Sequence, residues 1–185
     1  MLAYSVAVHM RQLEQGAVAK EIQQYIFLPE NRPGSTIEVF TSDGCEVLAT
    51  HGKFKELLNE LANNCVETDR QDTVHVTALI SFDKETETFS LIVQDDVEYA
   101  KEEGEELVYF LNGTKLAHKD KMRDEVTEAG PEELYHARLR MREVIQTWGG
   151  SSLYDFSDNR ISFHATFQKK SLQNKVSQQR KENVF

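Results

Sequence analysis

This chain has few means of being cross-linked, kinked or held in lipid. Its 185 residues include two cysteines, three prolines, nine glycines and one tryptophan. Cys45 and Cys65 have no second Cys or His at ligand spacing, which excludes a disulfide-stapled secreted module and points to ordinary thiols in a reducing compartment. The six histidines, His9, His51, His75, His118, His136 and His164, form no H-x-H or H-x-x-x-H pair, so no metal centre is expected from them. No serine lies in a nucleophile elbow. No apolar run has the length of a membrane span, and the opening residues MLAYSVAVHMRQLEQ turn polar too soon for a signal peptide; a cytoplasmic protein with no membrane partner is expected.

Positive charge is also scarce. The net charge is -10, and residues 164–185 carry +4 through Lys169, Lys170, Lys175, Arg180 and Lys181 against Glu182, which leaves the remainder at -14. Such a body repels nucleic acid, so no nucleic-acid partner is expected, and the basic tail is either a solvated end or a contact for an acidic partner.

What is present reads as one domain with extra segments, since 185 residues at 39% hydrophobic content close one core and are short for two. Residues 1–34 predict an N-terminal helical segment with a stripe through Met10, Leu13, Ala17, Ile22 and Ile26, closed by Pro29 and Pro33–Gly34. Thr36–Thr41 and Cys45–Thr50 alternate around Ser42-Asp43-Gly44 and predict a hairpin. Phe54, Leu57, Leu58, Leu61 and Cys65 mark one face of a helix, with Glu60 and Asn64 together on a neighbouring face. Residues 73–82 and 88–93 predict a long hairpin. The acidic stretch from Asp95 to Gly130 predicts an irregular segment. Leu134 to Trp148 predicts an amphipathic helix started by Pro131 and ended by Gly149-Gly150, followed by strands 152–156 and 161–167. This order predicts an α+β fold, a two-layer sandwich of helices on one face of a mixed, mostly antiparallel β-sheet, spanning 35–168 and followed by a basic tail, 169–185.

The element order and three local patterns resemble the ATP-binding catalytic domain of histidine kinases and the wider gyrase, Hsp90, kinase and MutL superfamily. The resemblance covers roughly residues 36–167. Its carriers are Glu60-Leu-Ala-Asn-Asn64 on a helix, Leu-Ile-Val-Gln-Asp95 at a strand end, and the late helix running into Gly149-Gly150. It implies two-component signalling, with ATP and Mg2+ as cofactors. Glu60 would orient a water as the catalytic carboxylate, Asn64 would chelate the magnesium, and Asp95 would accept from the adenine amine.

The chain departs from that pattern where the family places glycines two and four residues after its Asp, because Val97 and Tyr99 stand there. No Gly-x-Gly lid follows between Asn112 and Trp148 either. Neither does His9 lie in an acceptor-like surround. The expectation is a degenerate relative, a regulatory protein acting through a protein partner, which includes a second copy of itself. Two readings compete with it: an active ATP- and Mg2+-dependent kinase or ATPase, and an acidic adaptor or inhibitor unrelated to kinases.

Overall fold

The computed structural model describes residues 13–67, 72–113 and 140–173. Its five strands form one mixed sheet in the order β1-β2-β3-β5-β4, with β1 at Thr36–Thr41, β2 at His75–Asp83, β3 at Thr88–Asp95, β4 at Ser151–Ser157 and β5 at Arg160–Gln168. Only β1 and β2 run parallel, with Thr36 beside His75, and every other neighbouring pair is antiparallel. The helices are α1 (Ala17–Gln23), α2 (Glu46–Ala49), α3 (Gly52–Glu67), α4 (Lys101–Asn112), α5 over residues 140–147 and α6 over 169–173. This is the expected α+β arrangement.

Alternation builds the core. Val39, Ile80, Leu91, Phe163 and Phe167 point from the sheet toward the helices, and α3 answers with Phe54, Leu57, Leu58 and Leu61, all buried. Each such side chain stabilises the fold by about 1.5–3 kcal/mol relative to exposure. Ala19 and Ile22 of α1 and Leu172 of α6 join the same core. Trp148 plugs it, with ring contacts to Phe167 and His51.

Each glycine of Gly149-Gly150 has its own task. Gly149 takes φ +67°, and the bonds from Gly149 N–H to the Gln146 carbonyl and from Gly150 N–H to the Ile145 carbonyl close α5 as a Schellman turn. At Gly150 a side chain would meet the backbone oxygen of Thr166 on β5, so only a bare backbone lets β4 start against its neighbour. Between β4 and β5, Asp158 and Asn159 both have positive φ, the type I′ geometry that matches strand twist.

Two expectations need correction. Residues 45–50 do not form a strand paired with β1: Glu46–Ala49 is helix α2, while β1 pairs with β2 across the α3 crossover. The other edge of β1 is already occupied, since Gln23 Oε1 accepts the Val39 N–H at 3.1 Å and Glu14 bridges Thr41. A hairpin partner has no free ladder there. The acidic segment after Asp95 is also not irregular throughout, because Lys101–Asn112 forms α4, whose Gly104 lies directly against the Phe156 ring. The Asn112 amide then seals the opposite edge of the sheet, donating to the Tyr154 carbonyl and accepting its N–H, each at 2.7 Å. A side-chain amide thus replaces a neighbouring strand at both edges. The expected helix start at Pro131 and the histidines His9, His118 and His136 lie outside the described residues.

Candidate functional site

The sequence pointed to three residues on two elements. Glu60 and Asn64 sit one turn apart on one flank of α3, beside its buried stripe. Asp95 ends β3 opposite Val76, and its place in the alternation puts it on the helix-bearing face with Phe89, Leu91 and Val93. A helix that crosses over between parallel strands runs antiparallel to them, so the C-terminal turns of α3 and the start of β2 share one end of the sandwich. Asn64 and Asp95 both lie toward that end, in facing layers.

The surroundings of each residue set what it can do. Glu60 Oε1 meets Arg140 Nη2 of α5 at 3.4 Å, an ion pair whose side chains are 42% and 61% exposed. That guanidinium competes with any water for the carboxylate. The Asn64 amide nitrogen is buried within the protein. Asp95 Oδ1 accepts the Val97 N–H at 3.1 Å, a short turn that folds the chain back at the strand end. Val97 is 5% exposed, and Tyr99 packs on the core while its N–H donates to the Asn159 carbonyl at 2.8 Å. The second position after Asp95 is therefore occupied by a side chain buried in the core, and the fourth by a half-buried ring packed against it. Arg142 Nη2 reaches the Asn112 carbonyl at 3.3 Å, so α5 is tied to α3 through Arg140 and to α4 through Arg142.

The opposite flank of α3 holds two further amides. Asn59 and Asn63 have the same four-residue spacing as Glu60 and Asn64. Asn59 Oδ1 accepts the Phe27 N–H at 2.8 Å and Asn63 Nδ2 donates to the Phe27 carbonyl at 2.9 Å. Both backbone groups of Phe27 are thus satisfied while its ring stands 72% exposed. The four-residue spacing of these amides is visible in the sequence, whereas their partner Phe27, more than thirty residues away, is not.

His51 caps the start of α3, where its Nδ1 accepts the Phe54 N–H at 3.1 Å; burial pushes its pKa below the ordinary value. Cys45 is buried and its thiol is pushed up to about 11 by desolvation, so it stays protonated and unreactive near neutrality. Among the described residues no group of three or more His, Cys, Asp or Glu is placed to hold a metal ion. Among the same residues no helix is long and apolar enough to cross a membrane.

No protein-family model and no curated protein matches this chain. Solved structures do resemble it. The blue-light activated histidine kinase of Erythrobacter litoralis EL346 aligns at 15% identity and TM-score 0.50, covering 85% of this chain and 41% of the kinase. The histidine kinase domain from the same protein aligns at 13% identity and TM-score 0.49, covering 86% of this chain and 61% of that one. The catalytic domain of the histidine kinase ThkA aligns at 14% identity and TM-score 0.43, over 82% of this chain and 90% of that domain. The likeness to the Erythrobacter kinase is one of fold: the chain has a histidine-kinase-like α+β fold and spans less than half of that kinase's length.

Proposed function

We propose that this chain is a signalling or regulatory protein that keeps a histidine-kinase-type ATP-binding fold as a scaffold, has largely lost nucleotide chemistry, and acts by binding another protein. The observation that carries this reading is the fate of the segment after Asp95. Val97 is buried in the core and Tyr99 packs half-buried against it, with their N–H groups bonded to Asp95 and to the β4–β5 turn, so an adenine ring has no bare backbone to lie against. Replacing them by the side-chain-free geometry would require unpacking core residues. The Arg140 contact to Glu60 supports the same reading, because a carboxylate held by a guanidinium is a poorer acceptor for a water proton.

Titration calorimetry with ATP and Mg2+ tests it. The expected result is no binding in the micromolar range. Micromolar binding that Asp95→Ala abolishes would overturn the degenerate reading and restore a working nucleotide site.

A second reading, an active ATP- and Mg2+-dependent enzyme, draws support from the placement of Asn64 and Asp95 toward one end of facing layers. In that case Asn64 would hold the magnesium bridging the phosphates, and Asp95 would take the adenine amine. Its signature is phosphate release that disappears in both Glu60→Ala and Asn64→Ala. The acidic-adaptor reading rests on the -14 body alone.

A further inference from the structure

The face of the sheet turned away from the core carries an ordered row. Phe40 lies beside Leu79, Leu79 beside Ile92, Ile92 beside His164, and His164 beside Leu153, so each of the five strands contributes one side chain. Alternation sets these five opposite to the core-facing positions, and none of the four apolar ones belongs to the buried core or packs on it. Leu153 is 52% exposed. The flanking row on one side begins at Glu38 and ends at Asp155 with uncharged residues between them, and the row on the other side is serine and threonine. Among the described strand residues of this face the one Lys or Arg is Arg160, which pairs with Glu98 at 3.5 Å. His164 adds no positive charge at neutral pH: burial lowers its pKa against the opposing pull of Asp155, and its Nε2 lies 2.7 Å from Ser162 Oγ.

We propose that this sheet face binds a basic amphipathic helix of a partner protein, its apolar stripe seated on the Phe40–Leu153 row and its cations facing Glu38 and Asp155. The proposal rests on the protein-binding half of the proposed function and not on the loss of nucleotide chemistry. Three features select this occupant. Strands repeat at about 4.8 Å and helical turns at 5.4 Å, so a helix crossing the strands presents about one apolar position per strand along a row of about 19 Å, the length of some 13 residues. The acidic border complements a basic partner, whereas a second copy would bring to Glu38 and Asp155 a face whose one described strand cation, Arg160, is already paired with Glu98. An added β-strand is disfavoured at Val39 and Tyr154, where side-chain amides hold the two sheet edges.

The test uses the full chain and a fluorescent helical peptide of about 18 leucines and lysines, with a leucine–glutamate peptide of the same pattern as control. Polarisation is expected to show binding of the lysine peptide alone. Leu153→Ser combined with Ile92→Thr, and separately Glu38→Lys with Asp155→Lys, each weaken it about tenfold, while Phe27→Ser on the far side of the fold leaves it unchanged. The charge pair keeps the result interpretable if the apolar pair disturbs folding. Equal affinity in all variants would place the peptide elsewhere, and weakening by the charge pair alone would mean diffuse charge attraction; either result would overturn the proposal. So would tighter peptide binding after Lys175, Arg180 and Lys181 are changed to Gln, measured in salt that screens diffuse attraction, since the protein's own tail would then be the occupant. A dimer in sedimentation that Leu153→Ser dissolves would assign the face to a second copy instead. The ATP titration above leaves each of these outcomes readable, because none of the altered residues lies on α3 or at the end of β3.

Discussion

Helix α3 carries two polar pairs at identical spacing, and they do different things. Asn59 and Asn63 hold the backbone of Phe27 on both sides, whereas Glu60 and Asn64, displaced by one residue, lie on the flank toward α5, where Glu60 meets Arg140. A one-residue step turns a side chain by about 100° around a helix, enough to move it from one neighbouring element to another. The spacing of a motif therefore names a helix flank, and what lies across from that flank decides whether the flank is a strut or a site.

The largest effect should come from the strut. Asn59→Ala with Asn63→Ala deprives the Phe27 N–H and carbonyl of their partners, and chemical denaturation is expected to register a loss of about 1–2 kcal/mol, since water replaces part of each bond. Nucleotide titration should be unaffected by the same change. If the pair costs nothing, the clamp is decorative and the contrast between the flanks disappears.

An intermediate effect belongs to the start of the same helix. Burial lowers the pKa of both His51 and His164 below their ordinary 6.5, so the unfolded rings take up protons first as the solution is acidified. The stability contributed by the two neutral rings is complete above about pH 6.5 and falls as pH drops through their lower folded values. A protonated His51 no longer accepts the Phe54 N–H, a cap of about 1 kcal/mol. His51→Asn, which also caps, should flatten part of the melting-temperature decline between pH 7 and pH 5 and leave the part due to His164 in place.

The smallest effect is expected at Glu60. Glu60→Ala and Arg140→Ala should each change stability by less than about 0.5 kcal/mol, because the pair is solvent-exposed and screened. A double-mutant cycle measures this directly. Coupling above about 1 kcal/mol would show that the Glu60 flank is structural like its neighbour.

Elements whose pattern is repeated over many residues were readable before any coordinates. The hairpin of β2 and β3, the hairpin of β4 and β5 with its Asp158-Asn159 turn, and the buried stripe of α3 all follow from local period and turn chemistry. Residues 45–50 were misread because six residues of alternation suit a strand and a single helical turn alike. Only the occupied edges of β1 decide between them. The acidic start of α4 concealed a helix for a related reason: its solvated face is uniformly charged, and its packing depends on Gly104 meeting Phe156, about fifty residues later in the chain. Of the candidate site, Glu60 and Asn64 were placed correctly on one helix flank, but Arg140 and the docking of Val97 and Tyr99 were invisible because they are contacts between distant segments.

By itself the sequence determined the longer periods: the β2–β3 and β4–β5 hairpins, the apolar face of α3, and the presence of Val97 and Tyr99 two and four residues after Asp95. Tertiary structure alone decided the neighbours, including the parallel pairing of β1 with β2, the amides that close both sheet edges, and the cross-strand row from Phe40 to Leu153. The physical reason is range. Backbone geometry imposes period within a few residues, whereas a hydrogen bond or a shared face between segments a hundred residues apart exists only once the chain has closed on itself.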